Sequence, residues 1–359
     1  MHSKKINSTR CAYHKNCQRV ILLNKGHYHI EQNEQAMANK PSRTIEEQID
    51  LLESRGMNIR DRQFVADWLQ RVSYFRLKGY WWEMQDDPVN HHFRKGWYFE
   101  DIVERYSFDK ELKIILFHAI ETLEIALRTK LIYHMSQSHG GLWYLNPSLA
   151  ADASLHKQQL EHLQDEFAKS GENFVKEYLV KHPNQLKPSL KGYQSDEDPD
   201  AWIIMEVATF GELSKIYKNI DHQLPAKSAI ANDFGLNLHS ELSSWLEAIA
   251  YLRNMVAHHS RLWSRNMVKR PATITKARNA WLHQPLNPVV EKRPFYLISA
   301  LLYLCDAVGE GDRLRYDIHR LIRRYRHLPL HRMGFFSNWQ SHPIWHLSFC
   351  QRLHLYWKK

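Results

Sequence analysis

The sequence predicts an all-α fold, and three observations support that prediction. From residue 44 onward, apolar residues recur at intervals of three and four, which is the spacing of one buried helix face. Several of these segments begin at a capping residue and end at glycine, as in Thr44-x-x-Glu47 and Gly56. No segment alternates with the period of two that marks a half-buried strand. We therefore predict a multi-helix bundle with additional N- and C-terminal helices.

The helix boundaries follow from the same patterns. The first helix ends before Gly56, and Asp61 caps a second helix that runs to Gly79. Residues 99–138 form one very long helix or two in series, ending at Gly140. Further helices are predicted over 154–169, 173–182, 199–208, 211–220, 240–266, 294–309, 311–325 and 345–356. The helix at 199–208 is expected to have Asp198 as its cap and Pro199 as its first residue.

Composition limits the classes of function that this chain can have. It has 359 residues, of which 43% are hydrophobic, so it can bury a full core and is not globally disordered. Lys and Arg number 49 against 39 Asp and Glu, a net charge of +10 that favours an acidic partner. No glycine loop of the kind that cradles phosphates is present, which argues against P-loop nucleotide chemistry.

Residues 1–40 differ from the rest of the chain because they lack apolar periodicity. We expect a poorly ordered extension there, followed by one helical body over 41–359. The sequence does not decide whether translation starts at Met1 or at Met37. Cys11 and Cys17, with nearby histidines, suggest zinc, but their spacing is not that of a structural zinc site, so we predict no metal and no cofactor.

No membrane segment is expected. The longest uncharged apolar run, residues 295–305, is shorter than the roughly 18 residues that a bilayer crossing needs. The first residues contain no apolar signal-peptide core. We therefore expect a cytoplasmic protein whose four cysteines are free thiols.

The segment from Ser240 to Asn266 has an unusual polar face. On an ideal helix of 100° per residue, five side chains fall within an arc of about 60°, opposite the apolar face. These are Glu247, Asn254, His258, Arg261 and Arg265. A solvated face usually mixes Lys and Glu, so this composition favours a functional site, with a merely solvated face as the alternative. Arg253 lies about 140° from His258 around the helix axis. To act with His258, its side chain must curl around the helix, or the helix must depart from ideal geometry, or a second helix or subunit must complete the site.

The string Arg253-Asn254-x-x-x-His258, followed by His259 and Arg261, resembles the signature of the HEPN superfamily of ribonucleases. The wider chain, over roughly 41–345, is similar to the AbiD/AbiF-like (Abi-like) abortive-infection family of bacterial phage-defence proteins. The matching blocks are IEEQIDLLESRG (45–56), YFRLKGYW (74–81), FEDIVERYSFDKELK (99–113), IETLEIALRTK (120–130), ATFGELSKIYKN (208–219), YLRNMVAHHSRLWSR (251–265) and MGFFSNW (333–339).

This resemblance implies a metal-independent endoribonuclease, a toxin that leaves 2′,3′-cyclic phosphate and 5′-OH ends. His258 would transfer protons, Arg253 would bind the scissile phosphate, and Asn254 would orient the phosphate or His258. His259, Arg261 and Arg265 would be auxiliary contacts to RNA. The alternative is a non-catalytic RNA-binding module of a toxin–antitoxin or defence system.

One histidine cannot easily serve as both acid and base, so two motifs should face each other. We expect a homodimer with the polar face of the 240–266 helix near the interface, or an internal pairing with Arg128 and His134, which have the same motif spacing. The alternative for Arg128 is a structural network with Glu121 or Glu124.

A second basic segment, residues 313–332, has seven arginines and a single acid. Arg320, Arg323 and Arg324 are expected to bind RNA beside neighbouring tyrosines. The alternative is that these arginines pair with acids elsewhere, such as those at 100–104. The predicted partners are therefore RNA as substrate, and a small RNA or a protein antitoxin as regulator; the sequence does not choose between these two.

Overall fold

The computed structural model describes residues 42–87, 89–182, 198–274, 276–348 and 351. Over these residues the chain forms thirteen α-helices and one two-stranded hairpin, so the predicted all-α fold is confirmed. The helices are α1 (Ile45–Ser54), α2 (Arg62–Val72), α3 (Tyr74–Trp81), α4 (Phe99–His139), α5 (Ala153–Lys169), α6 (Asn173–Lys181), α7 (Ala201–Ile204), α8 (Phe210–Asn219), α9 (Pro225–Asp233), α10 (His239–Ala257), α11 (Pro288–Glu291), α12 (Pro294–Ala307) and α13 (Gly311–Arg324). The antiparallel strands are β1 (Gln85–Asp87) and β2 (His92–Phe93).

The helix α4 organises the fold. Its 41 residues form one continuous helix, which at 1.5 Å per residue is about 60 Å long. The buried residues of α4 recur at helical spacing and so form one face. This face packs against α3, α8, α9, α10, α12 and α13. The buried apolar side chains of this face include Leu112, Leu116, Leu123, Leu127 and Leu131. The helix ends at Gly140, whose φ of 78° is one that residues with a side chain rarely adopt.

The second central helix is α12, which is buried along nearly its whole length. It packs against α4, α10 and α13, so no polar face is required. At one end, the rings of Trp245, Trp281 and Tyr303 pack together, mostly edge to face, with centroids 5.0–5.4 Å apart. The Tyr303 hydroxyl donates to the Gly235 carbonyl oxygen at 2.6 Å. These contacts attach α10 to the core, and α10 is the helix on which the predicted motif lies.

One predicted helix is broken. The sequence predicts a continuous helix from Asp61 to Gly79, whereas α2 ends at Val72 and α3 begins at Tyr74. Between them, Ser73 has a φ of 57°, donates its N–H to the Leu69 carbonyl oxygen and accepts a hydrogen bond from Arg76 N–H. Ser73 thus closes one helix and caps the next, because its hydroxyl replaces a backbone partner.

Four other regions differ from the prediction. The helix expected over 199–208 begins at Ala201 with Asp200 as its N-cap, so the roles assigned to Asp198 and Pro199 are wrong. The helix α9 was missed because its sequence has few apolar residues. The hairpin was missed because its strands are too short to show an alternation of apolar and polar residues. Within the predicted helix at 345–356, the described residues are Trp345, which ends the 3-10 turn Pro343–Trp345, the irregular residues 346–348, and Gln351, which is helical.

Several predictions fall outside the described residues. They concern the extension over 1–40, the start at Met37, and the thiols of Cys11, Cys17 and Cys350. The fourth cysteine, Cys305, is a buried free thiol. Among the described helices, none combines the length and the apolarity that a bilayer crossing requires.

The central position of α4 predicts a large effect of truncating its buried face. Leu127 is fully buried, so Leu127→Ala should lower the free energy of unfolding by about 2–5 kcal/mol. Thr129 is exposed on the same helix, and Thr129→Ala should change it by less than about 0.5 kcal/mol. Urea denaturation of the two variants measures the difference, and equal values would contradict this placement of α4.

Candidate functional site

The predicted motif lies in the last turn of α10, and that helix is shorter than predicted. It ends at Ala257 rather than at Asn266, and His258 is its C-cap with φ −87° and ψ 14°. Residues 258–266 are therefore turn and irregular structure instead of two further helical turns. The predicted single polar face is accordingly wrong for Arg261 and Arg265, which lie beyond the helix.

A histidine in an unusual conformation ends the helix. His259 has a φ of 54°, a left-handed conformation in which glycine is the usual residue. Its N–H donates to the Val256 carbonyl oxygen at 3.0 Å, and Ser260 N–H donates to the Met255 carbonyl oxygen at 2.8 Å. These two hydrogen bonds form a Schellman motif. Histidine tolerates this conformation better than most residues with a side chain, but at a cost that the surrounding contacts must offset.

The side chains of the motif are placed on two sides of the last turn. Asn254 and His258 are exposed and adjacent, four residues apart, and neither side chain forms a hydrogen bond within the described part of the chain. Arg253 is half-buried on the flank that faces α4. There it lies close enough to Glu124 to lower the pKa of that carboxyl, against the larger raising effect of burial. The separation of Arg253 from His258 agrees with the helical geometry expected from the sequence.

Two cations hold the backbone directly after the motif. The Arg76 guanidinium of α3 donates to the His259 carbonyl oxygen at 2.5 Å. The Lys113 ammonium of α4 lies 3.5 Å from the Ser260 carbonyl oxygen. The carboxyl end of a helix presents unpaired carbonyl oxygens and a partial negative charge, and cations are favourable there. These contacts therefore offset the strain of the left-handed His259.

A buried carboxylate anchors the rest of the turn. Asp109 of α4 is fully buried and accepts hydrogen bonds from Leu262 N–H at 3.0 Å and Trp263 N–H at 2.7 Å. Its other oxygen accepts from the Tyr80 hydroxyl at 2.7 Å and pairs with Lys113 at 3.0 Å. Burial, followed by the charge of Asp109, raises the pKa of Tyr80, which therefore stays a neutral donor. Every acceptor site of this buried charge is used.

This anchor explains why α10 stops. In a continued helix, the N–H groups of Leu262 and Trp263 would donate to the carbonyl oxygens of His258 and His259, four residues earlier. Asp109 takes both N–H groups instead. Charge-assisted hydrogen bonds are about twice as strong as neutral ones, so the turn is favoured over helix. Sequence periodicity cannot detect this because the competing acceptor lies on another helix.

The two arginines that follow the motif bind within the protein. Arg261 donates to the Trp263 carbonyl oxygen at 2.6 Å and packs on Gly79 of α3, where a Cβ atom would lie 3.1 Å from the Arg261 Cδ. Burial lowers the pKa of Arg261. Arg265 lies 3.5 Å from the Tyr251 hydroxyl and 3.3 Å from the Arg261 carbonyl oxygen. Their predicted role as auxiliary RNA contacts therefore competes with structural contacts.

Glu247, the first member of the predicted polar face, belongs to an ion-pair cluster. Its carboxylate lies 2.8 Å from the Lys218 ammonium and also bonds Lys269. These two lysines lower the pKa of Glu247 to about 2. The cluster links α8, α10 and the segment that follows α10, which is a structural role.

Arg128 and His134, the possible second motif, bind different partners and do not form one site. Arg128 bonds the Ala208 carbonyl oxygen at 2.9 Å and pairs with Glu124 at 3.3 Å and Glu206 at 3.6 Å. His134 lies farther along α4 and pairs with Asp233 of α9 at 3.0 Å. The Arg128 contacts agree with the structural network that the sequence left as the alternative. Glu124 is thus shared by Arg128 and Arg253, a link that motif spacing alone does not reveal.

The C-terminal arginines are partly neutralised. Arg320 pairs with Asp317 at 3.3 Å, and Arg324 pairs with Glu111 at 2.6 Å. Arg323 also has an interaction partner. Ion pairing was the expected alternative to RNA binding, although the acids differ from those at 100–104 that the sequence suggested. No group of three or more potential metal-ligating side chains is present in the described ranges.

The anchoring role of Asp109 can be tested by removing its carboxylate. Asp109→Ala leaves the buried Lys113 charge and two backbone N–H groups without partners, and should cost about 3–5 kcal/mol of unfolding free energy. The amide protons of Leu262 and Trp263 should also exchange faster with solvent. Lys110→Ala, an exposed neighbour on α4, is the control. Similar stability and exchange in the two variants would show that Asp109 is not the anchor.

The Glu247 cluster predicts a specific pH dependence. The folded-state pKa is about 2, below the ordinary value of 4.5, so the stabilisation is complete above about pH 4.5 and is lost as pH falls toward 2. Glu247→Gln should therefore be less stable than the wild type at pH 6, with the difference shrinking by pH 3. Denaturant midpoints at both pH values measure this. A constant difference would contradict the ion-pair explanation.

Comparison with known proteins identifies the family. A model of the family described as Abi-like protein matches residues 67–264, which is more than half of the chain and includes α3, α4 and the whole of α10. No curated protein matches the chain, and no solved structure matches it. The chain therefore belongs to the Abi-like protein family, a membership that supports a role in abortive infection, the bacterial defence against phage.

Proposed function

We propose that this protein is a HEPN-type endoribonuclease of abortive-infection defence, with Arg253, Asn254 and His258 as its active site. The observation that carries this proposal is the contrast between the motif and its surroundings. Asn254 and His258 are exposed and have no side-chain partner among the described residues, while the backbone that follows is held by the buried Asp109 carboxylate and by the Arg76 guanidinium. A site that must bind an external ligand needs free side chains on a rigid support.

The chemistry follows from the three side chains. The ribose 2′-oxygen attacks the adjacent phosphorus, and the bond from phosphorus to the 5′-oxygen breaks. The 2′-OH proton goes to a base, and an acid supplies a proton to the leaving 5′-oxygen. His258 is suited to one of these transfers, and such catalysis contributes about 10²–10⁴-fold. Arg253 is suited to the charge of the phosphorane, and Asn254 can orient the phosphate. The products are a 2′,3′-cyclic phosphate and a 5′-OH.

A second proton-transfer group is needed, and a second copy of the chain is the source we propose. Within one chain, His134 is paired with Asp233, and its neighbour Arg128 is held by Glu124 and Glu206. In a homodimer, two His258 side chains supply one base and one acid. The predicted RNA partners and the antitoxin belong to this proposal, because an RNA-cleaving toxin must be restrained in healthy cells.

The test compares His258→Ala with the wild type after induced expression in bacteria. The wild type should arrest growth and degrade RNA, and His258→Ala should reduce the cleavage rate by about 10²–10⁴-fold. His139→Ala is the matched control because His139 is exposed at the end of α4, away from the motif. It should behave as the wild type.

Two results would contradict the nuclease. Equal RNA degradation in the wild type and His258→Ala would exclude His258 as a catalytic group. RNA that co-purifies intact with both proteins would instead support the alternative, a module that binds RNA without cleaving it.

A further inference from the structure

An exposed stripe runs along the middle of α4, on the side opposite its buried face. We define the α4 stripe as Ile114, Phe117, His118, Glu121 and Ile125. The three apolar members are 63%, 47% and 55% exposed, and the two polar members are also exposed. At 100° per residue all five fall within an arc of about 100°. Large apolar side chains that are exposed together on one side of a helix, with polar side chains among them, are typical of an interaction site.

The order of residues along the α4 stripe indicates what covers it. The point midway between Ile114 and Ile125 is also midway between His118 and Glu121. If a second α4 packs antiparallel across that point, each Ile114 faces Ile125 of the other copy, and each His118 faces Glu121. Apolar side chains then face apolar side chains, and each imidazole faces a carboxylate of the other copy. A two-fold interface requires this property, whereas an unrelated partner does not.

We propose that the α4 stripe is a homodimer interface in which two copies of α4 pack antiparallel about a two-fold axis. Hollows beside the stripe give a partner room to extend the contact. A cavity of about 500 Å³ is lined by Trp68, Tyr106 and Ile114, and one of about 230 Å³ by Ile114, His118 and Arg313. Specific dimers bury about 800 Å² per partner, so contacts in these hollows must supplement those of a single helix face.

The interface places both motifs on one side of the dimer. Lys113 and Glu124 occupy the same flank of the α4 stripe, at about 80–100° from Ile114. Lys113 contacts the Ser260 carbonyl oxygen, and Glu124 lies near Arg253, so the end of α10 lies along this flank near the middle of the stripe. A two-fold axis perpendicular to antiparallel helices keeps this flank on the same side in both copies. Both His258 residues then border the axis, an arrangement whose catalytic meaning rests on the proposed function.

The test is sedimentation velocity of the purified full-length chain over a range of concentrations. The wild type should sediment as a dimer, and Ile114→Lys with Ile125→Lys should raise the dissociation constant by at least about 100-fold, with unchanged circular dichroism. Val180→Lys is the matched control because Val180 is 79% exposed on α6. This variant should remain dimeric.

A charge exchange tests the antiparallel register. His118→Glu places two carboxylates opposite each other in each pair and should weaken the dimer, and adding Glu121→His should restore it by exchanging the partners. A monomeric wild type, or a dimer insensitive to the lysine substitutions, would overturn the proposed interface. If the double variant did not regain the dimer, the proposed antiparallel register would be wrong. A dimer that behaves as predicted without degrading RNA would contradict the proposed function while leaving the interface intact.

Discussion

The buried carboxylate of Asp109 is the interaction on which the candidate site depends. It accepts the N–H groups of Leu262 and Trp263 and the Tyr80 hydroxyl, and it pairs with Lys113. A buried charge is tolerated only when it is paired and hydrogen-bonded, and here both conditions are met. The consequence is local and specific: α10 ends at its motif histidine, and the chain turns away from the helix axis. Without this anchor the same residues would extend the helix, and His258 would lie in its interior turns.

The motif is therefore supported by groups outside it. Arg76 binds the carbonyl oxygen of His259, and Lys113 approaches that of Ser260. Glu124 lies between Arg253 of the motif and Arg128 of α4. Three of these groups belong to α4, a single rigid helix, so the positions of the motif residues are fixed relative to the core. The basic residues, whose net charge first indicated an acidic partner, thus have two different roles. Several arginines, including Arg261 and Arg324, act within the protein, while Arg253 and His258 remain candidates for binding RNA.

Much of the fold could be predicted from the sequence because local signals and packing agree along most helices. The capping box at Thr209 and the N-cap at Asp61 occur as expected, and α4 extends over the predicted residues. The end of α10 could not be predicted, because a side chain on another helix captures the N–H groups that would have continued it. The break at Ser73 has a similar origin in a side-chain hydrogen bond. One sign of the anchor was available: Asp109 is a carboxylate at a position on the buried face of α4, where an apolar residue is the rule.

The proposed function depends most on whether the exposed turn at His258 cleaves RNA without a metal. The most direct measurement is the chemistry of the RNA ends produced by the purified protein in the presence of EDTA, determined by mass spectrometry. We expect fragments with 2′,3′-cyclic phosphate and 5′-OH ends, in the same yield as without EDTA. Fragments with 5′-phosphate ends, or cleavage abolished by EDTA, would contradict the proposed function.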